Sequence, residues 1–171
     1  MADRGSTLRA GRLSSLTVIR AGGGGIFAEE FQSCNIVAVG WPEAGNLADA
    51  LTREDIGSRL LAAFPYCRKM QLVSMLGQLY VFKCKIEINQ SVLTYDPMER
   101  VYLIGTVTGQ YAYRPDLISE LPHTRPVKWI NRISRDALSL EARNCLGSIR
   151  TVFSVSEEAS REILRLARSV S

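Results

Sequence analysis

The chain has 171 residues, the size of one domain, and its 46% apolar against 22% charged residues is the balance of a globular protein rather than a disordered one. No apolar run approaches the ~20 residues of a membrane span, and the opening Met-Ala-Asp-Arg-Gly-Ser lacks the apolar core of a secretory signal, so a soluble, cytoplasmic protein with no membrane partner is expected. Net charge is +4, of which residues 1–14 supply +2 through Arg4, Arg9 and Arg12 against Asp3 and the other 18 basic and 16 acidic groups supply +2; this permits a nucleic-acid partner without requiring one.

Residues 1–15 are polar, Gly- and Arg-rich and without periodicity, which predicts a disordered basic tail. A folded unit is expected over 16–155, opening with a β-branched strand at 16–19. Four glycines, Gly22 to Gly25, break any element and predict a flexible turn. Phe27, Glu29, Glu30 and Phe31 then read as a short helix or turn. The apolar run 36–39 fits a buried strand, closed by Gly40-Trp41-Pro42 because proline cannot continue a central strand. Thr52 is placed to cap a helix, with Glu54 and Asp55 at its positive end. Ile56, Leu60, Leu61 and Phe64 share one face of that helix, and Pro65 ends it. A second helix is predicted over 69–81, where Met70, Val73, Leu76 and Tyr80 lie at helical spacing.

The period then changes to that of strands. Residues 91–95 read as a strand, Asp96-Pro97-Met98-Glu99 as its turn, and 101–108 as the returning hairpin partner. Gly109 marks a bulge or bend before the short run Tyr111 to Tyr113. A further strand is predicted at 127–133 and a short helix from Ser139 to Asn144, stopped by Gly147. Another strand follows at 149–153, then a helix over 157–168 entered through the capping-box pattern Ser154-Val-Ser-Glu157. About six short strands and three or four helices in irregular order exclude regular βαβ alternation. The expected fold class is α+β, a curved, barrel-like mixed sheet with helices outside. Residues 156–171 form either a terminal helix or the start of a linker to a further domain.

Little in the sequence supports catalysis. Cys34, Cys67, Cys84 and Cys145 are far apart and make no Cys-x-x-Cys, against a zinc site or a disulfide framework; buried reduced thiols are expected. His123, the only histidine, stands between Pro122 and Thr124 and reads as a loop residue. It has no companion that would make it part of a triad or of a zinc deaminase site. The four glycines lack the Lys-Ser/Thr of a P-loop and the spacing of a dinucleotide fingerprint, although their N–H groups could touch a phosphate. Trp41 and Tyr95 each stand at a strand end, where rings line pocket mouths as readily as they pack. Trp129, Tyr111 and Tyr113 read as packing residues.

Several stretches carry a resemblance. They are Val18-Ile-Arg-Ala-Gly-Gly-Gly-Gly-Ile-Phe-Ala-Glu-Glu-Phe31, Ile36-Val-Ala-Val-Gly-Trp41, Gly77-Gln-Leu79, Leu93-Thr-Tyr-Asp-Pro97, Tyr102-Leu-Ile-Gly-Thr-Val-Thr-Gly-Gln-Tyr111, His123-Thr-Arg-Pro-Val-Lys-Trp129, Ser134-Arg-Asp136 and Arg143-Asn-Cys-Leu-Gly-Ser148. Together, over roughly residues 16–160, they resemble the N-terminal DNA-recognition module of modification-dependent (type IV, Mrr-like) restriction endonucleases, a module of EVE, YTH and PUA-like architecture. One departure is Asn89-Gln90, where such modules carry Gly-Asp; asparagine tolerates the left-handed turn.

The resemblance implies a partial barrel of about six strands. It implies a specificity module that flips a modified, methylated base from duplex DNA into an aromatic pocket and targets a nuclease domain, in the same polypeptide or complex, to modified foreign DNA. The chain alone would then be no enzyme and need no cofactor or metal, the parent protein being the restriction endonuclease. An RNA-binding PUA/YTH-like module is the alternative, and a protein-interaction domain a third reading. In the YTH-like arrangement a Trp follows a Gly-Val/Ile strand, which implies a cage role for Trp41 and a base-edge role for Asn46. Tyr95 and Asp96 are the next base-binding candidates, with Phe27 or Tyr80 closing the cage. Arg20, Lys128, Arg132 and Arg135 would hold phosphates and set register; for Arg132 and Arg135 a solvated surface is an equal reading.

Overall fold

A computed structural model describes residues 15–169, so all but the last residue of the expected basic tail lies outside the described residues. The β-branched runs become strands and the 3.6-periodic stretches become helices. In chain order they are β1 (Thr17–Ile19), α1 (Ala28–Cys34), β2 (Ile36–Val39), α2 (Arg53–Ala63), α3 (Lys69–Tyr80), β3 (Ser91–Asp96), β4 (Val101–Val107), β5 (Ala112–Tyr113), β6 (His123–Ser134), α4 (Leu140–Cys145), β7 (Val152–Ser154) and α5 (Glu157–Ser169). The described residues thus form seven strands and five α-helices, somewhat more than the sequence pattern suggests.

The strands make one sheet in the order β2-β6-β4-β3-β1-β7, with β5 also beside β6. Every pairing is antiparallel except β1 with β3. Long β6 curls the sheet: its first four residues pair with β2 and the remainder with β4. The ladder between β4 and β6 slips at Ile104/Gly105, where Trp129 faces Gly105, Asn131 faces Ile104 and Ile130 is the extra residue. Such a bulge bends its strand and sharpens the twist. Only glycine fits there, since a Cβ on Gly105 would lie 2.3 Å from Val127 Cγ1 and 2.8 Å from Trp129 Cε3. The curl brings β2 back against β1, so the sheet is a partial barrel.

Alternation along the strands feeds two cores. Inside the curl, Ile19, Phe31, Val37, Val39, Leu79 and Phe82 pack with α1, α2 and α3. On the other face Leu93, Ile104 and Ile133 pack against Leu138 of the loop before α4 and Ile163 of α5. Both faces are covered, which is why burial in β1 and β3 does not alternate: Thr17 to Ile19 and Val92 to Thr94 are buried without a break. Ala159, Ile163 and Ala167 bury one side of α5 in the second core.

Three local readings differ from the structure. The first concerns β6, which begins at His123 rather than near Val127. Pro126 is tolerated within it because its backbone faces the gap between β4 and β5, where its carbonyl accepts only the Thr108 N–H at 2.9 Å. The second is the cap of α5, where Ser156 rather than Ser154 accepts the Ala159 N–H, at 3.3 Å, while Ser154 ends β7. The third is the state of the cysteines: all four are free, but Cys84 and Cys145 are exposed and Cys34 and Cys67 half-buried. Asn89 adopts φ 70°, the left-handed turn expected of it. Among the described residues no helix is long and apolar enough to cross a membrane.

Candidate nucleic-acid interface

Because β1 and β3 run parallel, with Thr17 opposite Val92 and Val18 opposite Leu93, the chain leaves both strands at the same end. Arg20 follows β1 there, beside Tyr95 near the end of β3. A hollow of about 180 Å³ opens between them, lined by Arg20, Gly24, Gly25, Tyr95 and Tyr102. The Tyr95 and Tyr102 rings are 4.9 Å apart and tilted by 42°. Gly25 makes the close approach that shapes this wall: at φ +80° its Cβ would stand 2.8 Å from Pro97 Cδ and 3.0 Å from the Tyr95 carbonyl. The Arg20 guanidinium donates to the Ser148 carbonyl, while its Nε–H is buried without a partner. Burial pushes the Tyr102 phenol up, and the charges of Arg135 and Arg20 pull it the other way.

A second hollow, of about 330 Å³, lies on the other side of the glycine turn, lined by Arg20, Gly22, Gly23, Gly24, Trp41 and Ile149. Arg20 and Gly24 belong to both hollows, so they form the ridge between them. The opposite side of Trp41 borders a shallow depression of about 500 Å³ against Phe64, Gln71 and Met75.

Trp41 stands in left-handed geometry, φ 65° and ψ 52°, a conformation a bulky residue keeps only when its surroundings hold it. A buried relay does so. The Leu47 N–H donates to Tyr111 Oη at 3.2 Å, and Tyr111 Oη lies 2.7 Å from His123 Nδ1. His123 Nε2 in turn lies 3.1 Å from the Trp41 carbonyl. Since the carbonyl can only accept, His123 is the neutral Nε2–H tautomer and Tyr111 donates to Nδ1. Burial pushes the His123 imidazolium down and the Tyr111 phenol up to about 12, consistent with both being neutral.

The remaining candidates are scattered. Asn46 is exposed and folded onto its own turn, accepting the Ala48 N–H at 2.9 Å. Asp96 is buried and engaged in the β3–β4 turn, accepting from Met98 N at 2.9 Å, Glu99 N at 3.3 Å and Gln32 Nε2 at 3.3 Å. Phe27 is half-buried beside Gly22. Tyr80 borders neither hollow and lies beneath Arg53 and Lys85, at 5.5 and 5.4 Å from its centroid. Lys128 and Arg132 are exposed on β6, with Arg132 paired to Glu99, and Arg135 is half-buried near Tyr102.

Sequence reasoning missed Tyr102 and misplaced His123, which is fully buried in a strand rather than in a loop. Hairpin register held the signal for Tyr102, since a turn centred on Met98-Glu99 sets it opposite Tyr95. Among the described residues no three His, Cys, Asp or Glu side chains gather as metal ligands.

A curled mixed sheet, helices on both its faces, and two aromatic-rimmed hollows divided by one arginine define this as an α+β protein with a paired surface site. The chain belongs to a family described as a domain of unknown function, DUF8426, which matches residues 20–156. No curated protein matches it. Among solved structures it is similar to the Pho92 YTH domain in complex with m6A, at 11% identity and a TM-score of 0.49, over 94% of this chain and 87% of that one.

Proposed function

We propose that the chain reads a modified base in duplex DNA, taking it out of the stack into the hollow beside Trp41. The observation that carries this is the Arg20–Gly24 ridge with an indole on one side and a guanidinium N–H left without a partner. At about 330 Å³ the Trp41 hollow is within the range of small-ligand sites, ~300–1,000 Å³, while the tyrosine hollow at about 180 Å³ is below it. Trp41 is therefore the stacking surface. Tyr95 lines the neighbouring wall, its carbonyl packed closely against Gly25.

Flipping costs a few kcal/mol of unstacking and unpairing. Stacking on an aromatic ring returns ~1–3 kcal/mol per base. Arg20 Nε, already desolvated, loses nothing on meeting a phosphate or base oxygen and gains a charge-assisted bond. Asn46 and Phe27 edge the site in this reading, and Lys128, Arg132 and Arg135 hold backbone phosphates. The resemblance to type IV recognition modules supports DNA over RNA and the targeting of a nuclease domain to modified foreign DNA.

The test is a panel of duplexes identical except for one base: plain, N6-methyladenine, 5-methylcytosine, hydroxymethylated or glucosylated, each with a methylated RNA counterpart. One modified duplex should bind more tightly than its plain form. Trp41→Ala should lose ~1–3 kcal/mol of that affinity, about 5–150-fold. Equal binding across the panel contradicts the reading, and preference for methylated RNA moves it to the RNA alternative.

A further inference from the structure

A groove of about 870 Å³ runs between α3 and the edge strand β7, outside the site described above. Its floor is apolar, from Met70, Val73, Val81 and Phe153, and three cations, Arg53, Lys69 and Arg150, line it with no carboxylate among them. Five other arginines in the described residues pair with Asp or Glu, but none of these three does. The groove neighbours the Trp41 hollow across the segment from Ile149 to Val152. Ile149 and Thr151 line the hollow, while Arg150 and Val152, from the same segment, line the groove. Ser74 of α3 borders both the groove and the depression on the far side of Trp41.

We propose that this groove is a track for the phosphate backbone of the strand whose base enters the Trp41 hollow, with Arg53, Lys69 and Arg150 neutralising successive phosphates. The proposal rests on the base-reading function above. The alternative use of such a groove, adding a peptide strand to the β7 edge, needs free main-chain donors. Gln78 Oε1 already accepts the Val152 N–H at 3.1 Å and the Thr151 N–H at 2.7 Å, closing that part of the edge. What remains open is cationic side chain over apolar floor, the composition that follows a nucleic-acid backbone and packs against sugars.

The test compares wild type with a variant carrying Arg53→Gln, Lys69→Gln and Arg150→Gln, and with a charge-matched control carrying Arg114→Gln, Arg161→Gln and Arg168→Gln. Folding of each is verified by thermal melting. Affinity for plain and modified duplexes is measured against salt concentration, with a glutamate-rich peptide as competitor. Each phosphate contact contributes ~0.9 to the salt slope on duplex DNA. The groove variant should therefore lose about 2–3 from the slope on both duplexes equally, keep the modified-to-plain ratio, and differ from the control. An unchanged slope with an intact ratio overturns the groove and leaves the base-reading site standing. A reduced slope with no modified-base preference in wild type keeps the backbone track and sinks the base-reading site. If the acidic peptide binds wild type and not the groove variant while DNA affinity is unaltered, the groove is a protein-docking face and the proposal is wrong.

Discussion

At the scale of single residues, the proposed base site depends on how Trp41 is held. His123 and Tyr111 fix its carbonyl through a relay that needs both rings neutral. His123→Leu removes a donor and an acceptor together, leaving the Tyr111 O–H without its acceptor and the Trp41 carbonyl with only the Ala44 N–H, at 3.1 Å. The expected cost is ~1–3 kcal/mol, read by urea unfolding. The pH dependence has a definite sign. Burial lowers the folded-state pKa of His123 below its unfolded value, ~6.5. Between the two values the unfolded chain holds a proton the folded one lacks, so stability is fully present above ~6.5 and declines as pH falls toward the folded value. That component should vanish in His123→Leu; an identical pH profile for the two proteins would show the histidine is not the titrating group.

Arg125 is a second buried residue with a holding task. It is 1% exposed, with its pKa pushed down by burial, and donates to the carbonyls of Ile86 at 2.7 Å, Phe82 at 3.3 Å and Gly109 at 3.1 Å. A lysine cannot supply that planar fork. Arg125→Lys should lose ~1.5–3 kcal/mol for each charged hydrogen bond it fails to remake, measured as a lower denaturation midpoint. Placement in the fold was legible in the sequence where backbone punctuation marked it: Arg20 after β1 and before the glycines, Trp41 after β2 and before Pro42, Tyr95 near the end of β3 before the Asp-Pro turn. It was hidden where contact alone creates the role, as for Arg125 and for His123, whose flanking prolines look like a loop.

At the scale of elements, long β6 sets the curl and Gly105 sets the bulge within it. Gly105→Ala forces a methyl into Val127 and Trp129, and should cost ~1–3 kcal/mol, as overpacking typically does. Thermal melting measures it, and a neutral result would mean β6 relaxes away without loss. Periodicity and the cap and turn signals located β1, β2, β3, β4, α2, α3, α4 and α5 to within a few residues, whereas Phe27 to Phe31 read as either a short helix or a turn. Thr52, for example, accepts the Asp55 N–H at 3.1 Å while Asp55 returns a bond to the Thr52 N–H at 2.9 Å. The start of β6 was not legible, because Pro126 is acceptable only in a strand with a gap beside it. The π-helical turn Val81–Lys85 after α3 was equally hidden, since what holds it is Arg125 from across the sheet.

At the scale of the molecule, the net charge of +4 says little about partners, and the arrangement of charge says more. The five ion pairs among the described residues all join side chains at least 43% exposed, where water and salt screen them and they add little to stability. Raising salt from ~50 to ~200 mM should therefore leave the melting temperature nearly unchanged while weakening DNA binding steeply. A melting temperature that fell in step with affinity would tie the salt effect to the fold instead. No single sequence shows this distribution, because the cations of the α3–β7 groove are 97 residues apart at their extremes, Arg53 and Arg150, and meet only in the folded chain.

Trp41 is the proposed resting place of the modified base, and the chain's only other tryptophan is Trp129. In a Trp129→Phe background, Trp41 emission can be followed while fluorescence anisotropy of labelled DNA independently reports binding. Titration with the preferred modified duplex should quench Trp41 in proportion to occupancy, and the plain duplex, at equal occupancy, should not. Full binding of the modified duplex with Trp41 emission unmoved would contradict the account.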